Sequence, residues 1–98
     1  MSFGLKTADL EKINSVLKQY SEIKEVILYG SRAKGTYKRG SDIDLTLKGE
    51  ELDLEDLLNI ENLIEDLLLP YKVDLSLYHK IENQDLIDHI NRVGVHLK

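Results

Sequence analysis

Two short segments of the chain alternate strictly between polar and apolar residues, and each carries aspartate on its polar side. Residues 42–47 read Asp-Ile-Asp-Leu-Thr-Leu, and residues 72–78 read Lys-Val-Asp-Leu-Ser-Leu-Tyr. A period of two marks a strand with one face on a core. Ile43, Leu45 and Leu47 then share one face, and Val73, Leu75 and Leu77 do the same. Asp42, Asp44 and Asp74 leave on the opposite faces. Between the two segments, Leu54, Leu57, Leu58, Ile64, Leu67 and Leu68 recur with acids between them until Pro70. That spacing predicts a helix over 54–68, ended by the proline. A strand, a helix and a strand allow a parallel crossover, which is right-handed by rule.

The rest of the chain fills in around this unit. Leu10, Ile13, Leu17 and Tyr20 lie on one helical face, so 7–20 reads as a helix with Thr7 as a plausible N-cap and Asp9 in its first turn. Val26-Ile27-Leu28-Tyr29 reads as a buried strand that stops at Gly30. Leu86, Ile90 and Val93 place a last helix over 83–93, with Leu97 extending its face. The predicted order is α-β-β-α-β-α. It makes one domain over 1–98 of the α/β (α+β) class: a small mixed three-stranded sheet with helices packed on one side.

The loop from Gly30 to Ser41 joins the first two predicted strands, and its composition is unusual. It holds Gly30, Gly35 and Gly40 together with Arg32, Lys34, Lys38 and Arg39. Glycine after a strand lets backbone N–H groups approach a ligand. Ser31 brings a hydroxyl and starts a short helical turn through Ala33, where N–H groups suit an anion. The basic residues add positive charge nearby. Immediately afterwards, period two puts Asp42 and Asp44 on one face with Cα atoms about 6.5–7 Å apart. Ionised carboxylates that close repel unless a cation lies between them. If the third strand pairs with the second, Asp74 joins them. An all-oxygen set of this kind suits Mg²⁺ or Mn²⁺. Loop and carboxylates together fit a metal-bound nucleoside triphosphate.

Composition excludes several other classes. There is no cysteine, hence neither a disulfide nor a thiolate metal site. The net charge of −5 argues against a general nucleic-acid binder. No apolar run reaches the roughly 18–20 residues of a membrane span, and the N-terminal segment lacks a signal-peptide hydrophobic region. A cytoplasmic location is the expectation. His79, His89 and His96 have no ligand-like spacing and read as surface residues, and Tyr29, Tyr37, Tyr71 and Tyr78 read as packing or solvent-edge residues.

Gly30-Ser31, ten residues, then Asp42-x-Asp44 closely resembles the signature of the DNA polymerase β-like nucleotidyltransferase superfamily. The short length, Gly-Ser-Arg-Ala-Lys-Gly and Ser-Asp-Ile-Asp-Leu are similar to its minimal nucleotidyltransferase branch, which includes the MntA-like antitoxins. The element order fits as well, so the resemblance covers nearly the whole chain, and Asp74 matches the third carboxylate by context. The resemblance implies Asp42, Asp44 and Asp74 as metal-binding and catalytic residues. It implies Gly30, Ser31 and Arg32 as nucleotide-binding residues. It further implies two Mg²⁺ ions, transfer of a nucleoside monophosphate, AMP from ATP, to a hydroxyl, and release of pyrophosphate. Larger members carry an acceptor-binding domain for which 98 residues leave no room. Minimal members are often paired with a small helical HEPN-type protein in toxin–antitoxin modules. Two rival readings stand beside this one: a nucleotide-binding subunit or antitoxin that acts by binding its partner, and a small-molecule transferase of the aminoglycoside type.

Overall fold

The computed structural model describes residues 3–98. Helix α1, Thr7–Leu17, leads into strand β1, Glu25–Tyr29. A single helical turn, α2, Gly30–Lys34, follows at once, and β2 covers Ile43–Lys48. Helix α3, Leu54–Glu65, crosses to β3, Val73–Leu77. A one-turn 3-10 helix at Tyr78–Lys80 precedes α4, Gln84–Val93, and the chain closes with a two-residue strand β4, Val95–His96.

The sheet order is β3-β2-β1-β4. β1 pairs antiparallel with β2 and β4, and β2 pairs parallel with β3. The crossover through α3 is therefore parallel, as the sequence allows, and the fold is mixed α+β. Val26, Leu28, Ile43, Leu45, Leu47, Leu75 and Leu77 point to one face, where Ile13, Val16 and Leu17 of α1 and Ile60 and Ile64 of α3 cover them. Burying such side chains contributes about 1.5–3 kcal/mol each, so this cluster carries most of the stability. Among the described residues no helix is long and apolar enough to cross a membrane.

The structure corrects the sequence reading in several places. The sheet has four strands instead of three, because residues 95–97 turn back and pair with β1. Gly94 makes that turn: a Cβ there would collide with the Ile90 carbonyl and Ile27 Cγ2. Leu97 thus leaves the helical face and donates its N–H to the Val26 carbonyl. The helices do not all lie on one side. Ile27 and Tyr29 alternate to the other face of β1, and α4 covers them with Ile90 and Leu86. Lys6, not Thr7, precedes the first turn of α1. α1 ends at Leu17 and α3 at Glu65, each short of the predicted end. α3 is fixed at its start by a reciprocal capping box between Asp53 and Asp56. Its inward face carries the buried Ile60 and Ile64 with the half-buried Leu57, and Leu67 just past its end is half-buried too, whereas Leu54, Leu58 and the following Leu68 are exposed.

Candidate active site

The open face of β2 and β3 carries the three aspartates. In the parallel register Asp44 lies directly opposite Asp74, and Thr46 lies opposite Ser76. Asp42 sits at the entrance to β2, exposed, on the side that Asp44 occupies by period two. Asp44 is half-buried and Asp74 is exposed. Below them Ser76 Oγ donates to Thr46 Oγ1 at 2.9 Å, and Thr46 Oγ1 donates to the Ser76 carbonyl at 3.4 Å. The pair satisfies a threonine that is fully buried and forms a polar floor beneath the carboxylates.

Crowding shows in the protonation of Asp44. Burial holds its carboxyl above the ordinary carboxylate range, and the neighbouring charges of Asp74 and Asp42 push it further the same way, with His89 opposing. Tyr29, opposite Asp44 on β1, is also raised: by burial first, with the Ser76 side chain opposing and the charges of Asp44 and Asp74 adding to it. It is a neutral phenol at physiological pH. A cluster that destabilises its own ionised form is suited to a cation. Among the described residues no three His, Cys, Asp or Glu side chains form a ready-made metal cage. The donor set fits a hard cation that brings further oxygen ligands with it, as Mg²⁺ does with phosphate.

A stability prediction follows for the metal-free protein. Asp44 has a raised folded-state pKa, so its contribution to stability is present below its unfolded pKa and lost as pH rises through the folded one. Asp44→Asn should therefore melt a few degrees above wild type at pH 7 in EDTA, and the gap should close as pH falls toward 4. A variant that melts lower at pH 7 would make Asp44 a structural residue.

Gly30 brings the loop against the carboxylates. Its φ is 76°, in the region that favours glycine, and a Cβ on it would overlap Asp44 Oδ2. The close approach thus requires glycine twice over. Ser31 is the next residue, half-buried, and among the described residues its hydroxyl has no hydrogen-bond partner. Lys34, Lys38 and Arg39 are exposed on the same loop.

Arg32 departs from the expected role in nucleotide binding. It is 2% exposed. Its Nε and Nη2 donate to the Ser41 carbonyl at 3.2 and 2.8 Å, and its Nη1 donates to the Phe3 carbonyl at 2.9 Å. The guanidinium also lies near the Tyr37 and Tyr71 rings, 5.4 and 5.1 Å from their centroids. The single turn of α2 aims this side chain inward, where it ties the loop to residue 3 and to the segment before β3. A buried guanidinium whose donors face carbonyls is a clamp. Arg32→Ala should lower stability by about 2–3 kcal/mol, seen as a fall in denaturant midpoint at unchanged slope. Arg32→Lys keeps the charge but loses the fork, and should recover little of it.

His89 is the residue that the sequence reading placed on the surface and the structure places at the site. It is half-buried on α4, and the Gly30 N–H donates to its Nε2 at 3.1 Å. Its ring meets the Tyr29 ring edge-on, with centroids 6.1 Å apart and planes at 80°. A signal was available: His89 is three residues after Leu86 and four before Val93, on the apolar side of the predicted helix. His79 and His96 are exposed, and His96 Nε2 pairs with Glu25 at 2.7 Å.

Known proteins share this architecture. The family model described as Polymerase beta, Nucleotidyltransferase matches residues 11–98. A protein of Methanocaldococcus jannaschii that bears the name "Putative protein adenylyltransferase" is 36% identical over 75 residues, 76% of this chain and 76% of the relative. Among solved structures, a toxin–antitoxin crystal structure with AMP-PNP superposes at a TM-score of 0.74, with 24% identity over 90% of this chain and 71% of that one. A complex of a tri-AMPylated Shewanella oneidensis HEPN toxin with its MNT antitoxin superposes at 0.65, with 18% identity over 92% of this chain and 71% of that one. The two structural likenesses establish a shared fold.

Proposed function

The chain belongs to the polymerase β nucleotidyltransferase family, and from that membership we propose that it moves AMP from ATP onto a hydroxyl of a protein partner. One observation carries the reading: Asp44 and Asp74 are direct cross-strand partners, with the Gly30 turn closed against Asp44. A phosphate loop and a carboxylate cluster in contact match the two halves of a metal–triphosphate substrate.

Each residue has a distinct task in this reading. Asp42 and Asp44 hold the cation that accompanies the triphosphate, and Asp74 joins them toward a second, Mg²⁺ in both places. When bound, such ions neutralise phosphate charge and acidify the attacking hydroxyl. Ser31, with its hydroxyl free among the described residues, and the N–H groups after Gly30 orient the terminal phosphates. Lys34, Lys38 and Arg39 draw the anion toward the loop. Thr46 and Ser76 keep the floor of the site fixed, so that Asp44 and Asp74 stay in register. The hydroxyl oxygen attacks the α-phosphorus and forms the new bond, its proton passes to solvent, and the bond to pyrophosphate breaks.

A protein acceptor is supported by the name of the M. jannaschii relative. It is supported further by Leu54 and Leu58, 64% and 52% exposed one turn apart on the outer face of α3. Exposed apolar pairs of that kind suit a partner surface. The partner class we propose is a small helical HEPN-type protein, in a toxin–antitoxin-like pair. The test is co-expression with such a partner followed by intact-mass measurement. Added AMP on the partner, lost in Asp42→Asn, supports the reading. Modified small molecules with an unmodified protein would favour the aminoglycoside-type alternative. Tight partner binding without any transfer would favour the pure antitoxin.

A further inference from the structure

The Gly30 N–H is the first backbone donor of the nucleotide loop, and it is already engaged. Its partner, His89 Nε2, lies 59 residues further along the chain, so the contact is a deliberate tertiary bond and not a local turn. To accept from an amide, Nε2 must present its lone pair, which places the ring hydrogen on Nδ1. The ring has little freedom to leave. Tyr29 abuts it edge-on, and its neighbour Ile90 is 1% exposed against Ile27 and Tyr29. Helix α4 is itself fixed at its start, where the Asn83 side chain accepts from the Asp85 and Leu86 N–H groups.

Gly30 in turn needs holding. A glycine at a φ of 76° has more conformational freedom to lose than any other residue, and nothing in its own side chain fixes the turn. The same residue passes so close to Asp44 Oδ2 that a shift of the turn shifts the room available to that carboxylate. One hydrogen bond at this point therefore sets both halves of the site.

We propose that His89 is a positioning residue of the nucleotide loop: by accepting the Gly30 N–H it fixes the turn against Asp44 and leaves phosphate binding to the later donors of the loop. The inference rests on the nucleotidyltransferase reading above and assigns a residue to it from outside the loop and the carboxylates. It also makes α4, which covers Ile27 and Tyr29 on the site's side of the sheet, part of the nucleotide site.

Two measurements test it. With ¹⁵N-labelled protein, scalar coupling across the N–H···N bond between Gly30 and His89 Nε2 should be visible in the free chain. It should persist when the site is saturated with AMP-PNP and Mg²⁺. Absence in the free chain would overturn the proposal, since His89 would then not hold the turn, and so would loss on adding nucleotide, since Gly30 would then be a phosphate donor. Calorimetry with AMP-PNP and Mg²⁺ is the second. His89→Ala should weaken binding about tenfold, or about 1.4 kcal/mol. His89→Gln, whose amide oxygen reaches a similar place, should return it to within about threefold of wild type. If Gln rescues the melting temperature but not the affinity, His89 serves packing alone and the proposal fails. Wild-type chain that shows the coupling but binds no nucleotide would overturn the nucleotidyltransferase reading along with this one. Tight wild-type binding that is unchanged in His89→Ala would overturn this inference only.

Discussion

Gly30→Ala is expected to reduce nucleotide transfer by about a hundredfold or more while the chain still folds. Two penalties act at this position. The first is backbone strain: an L-residue at a φ of 76° is disfavoured by about 1–2 kcal/mol. For a domain of this size that lowers the melting temperature by about 4–16 °C. The second is displacement, because the new Cβ would overlap Asp44 Oδ2 and one of the two must move. Misplacing a reacting group by about 1 Å can lower a rate by about 10²-fold. Gly35 separates the two effects. It has a φ of 81° in the same loop, and a Cβ there meets nothing within 4 Å. Gly35→Ala should show a similar loss of stability with far less loss of transfer. Equal activity loss in the two variants would mean that strain alone is at work and that the Gly30–Asp44 approach is incidental.

That comparison shows what a linear sequence can and cannot disclose. Strict alternation was enough to put Asp42 and Asp44 on one face and Ile43, Leu45 and Leu47 on the other, since a period of two has only one outcome per face. The β-α-β crossover was legible for a similar reason: a helix between two one-sided strands leaves few topologies. That Asp74 joins Asp42 and Asp44 was legible on condition that the two strands pair, which they do, but the register that sets Asp74 directly opposite Asp44 was not, because register depends on how α3 packs and not on any local pattern. Arg32 was misplaced because positive charge near a phosphate loop is a correct generality that says nothing about direction. One helical turn decides it, and here the side chain turns inward to the Ser41 and Phe3 carbonyls. β4 was hidden by its length, two residues, with Gly94 as its only punctuation. The exposed Leu54 and Leu58 misled the assignment of α3's face, because apolar residues at helical spacing read as core whether or not the core is what they meet.

Asp74→Asn is expected to separate nucleotide binding from chemistry. Asp42 and Asp44 follow the glycine loop directly, and Gly30 is in contact with Asp44, so in the proposed reading these two serve the triphosphate. Mg²⁺ is usually held by one or two carboxylates plus phosphate oxygens, and that pair is sufficient for it. Asp74 comes from the neighbouring strand, opposite Asp44, and is the more exposed of the two. In the proposed reading it is the carboxylate that serves the acceptor hydroxyl. Losing its charge should leave nucleotide affinity within about tenfold, or about 1.4 kcal/mol. It also removes a like charge from beside Asp44, whose raised pKa reflects Asp74 in part, so nucleotide-free stability should rise slightly. Transfer should fall much further, by about 10³-fold, because the hydroxyl must lose its proton at neutral pH without the cation that acidifies it. Asp42→Asn and Asp44→Asn should lower affinity and transfer together. The decisive pair of measurements is calorimetric affinity for AMP-PNP with Mg²⁺ and single-turnover transfer from ATP, made on all three variants. Asp74→Asn turning over near the wild-type rate would make Asp74 a plain surface acid, and the site would then consist of Asp42, Asp44 and the loop alone.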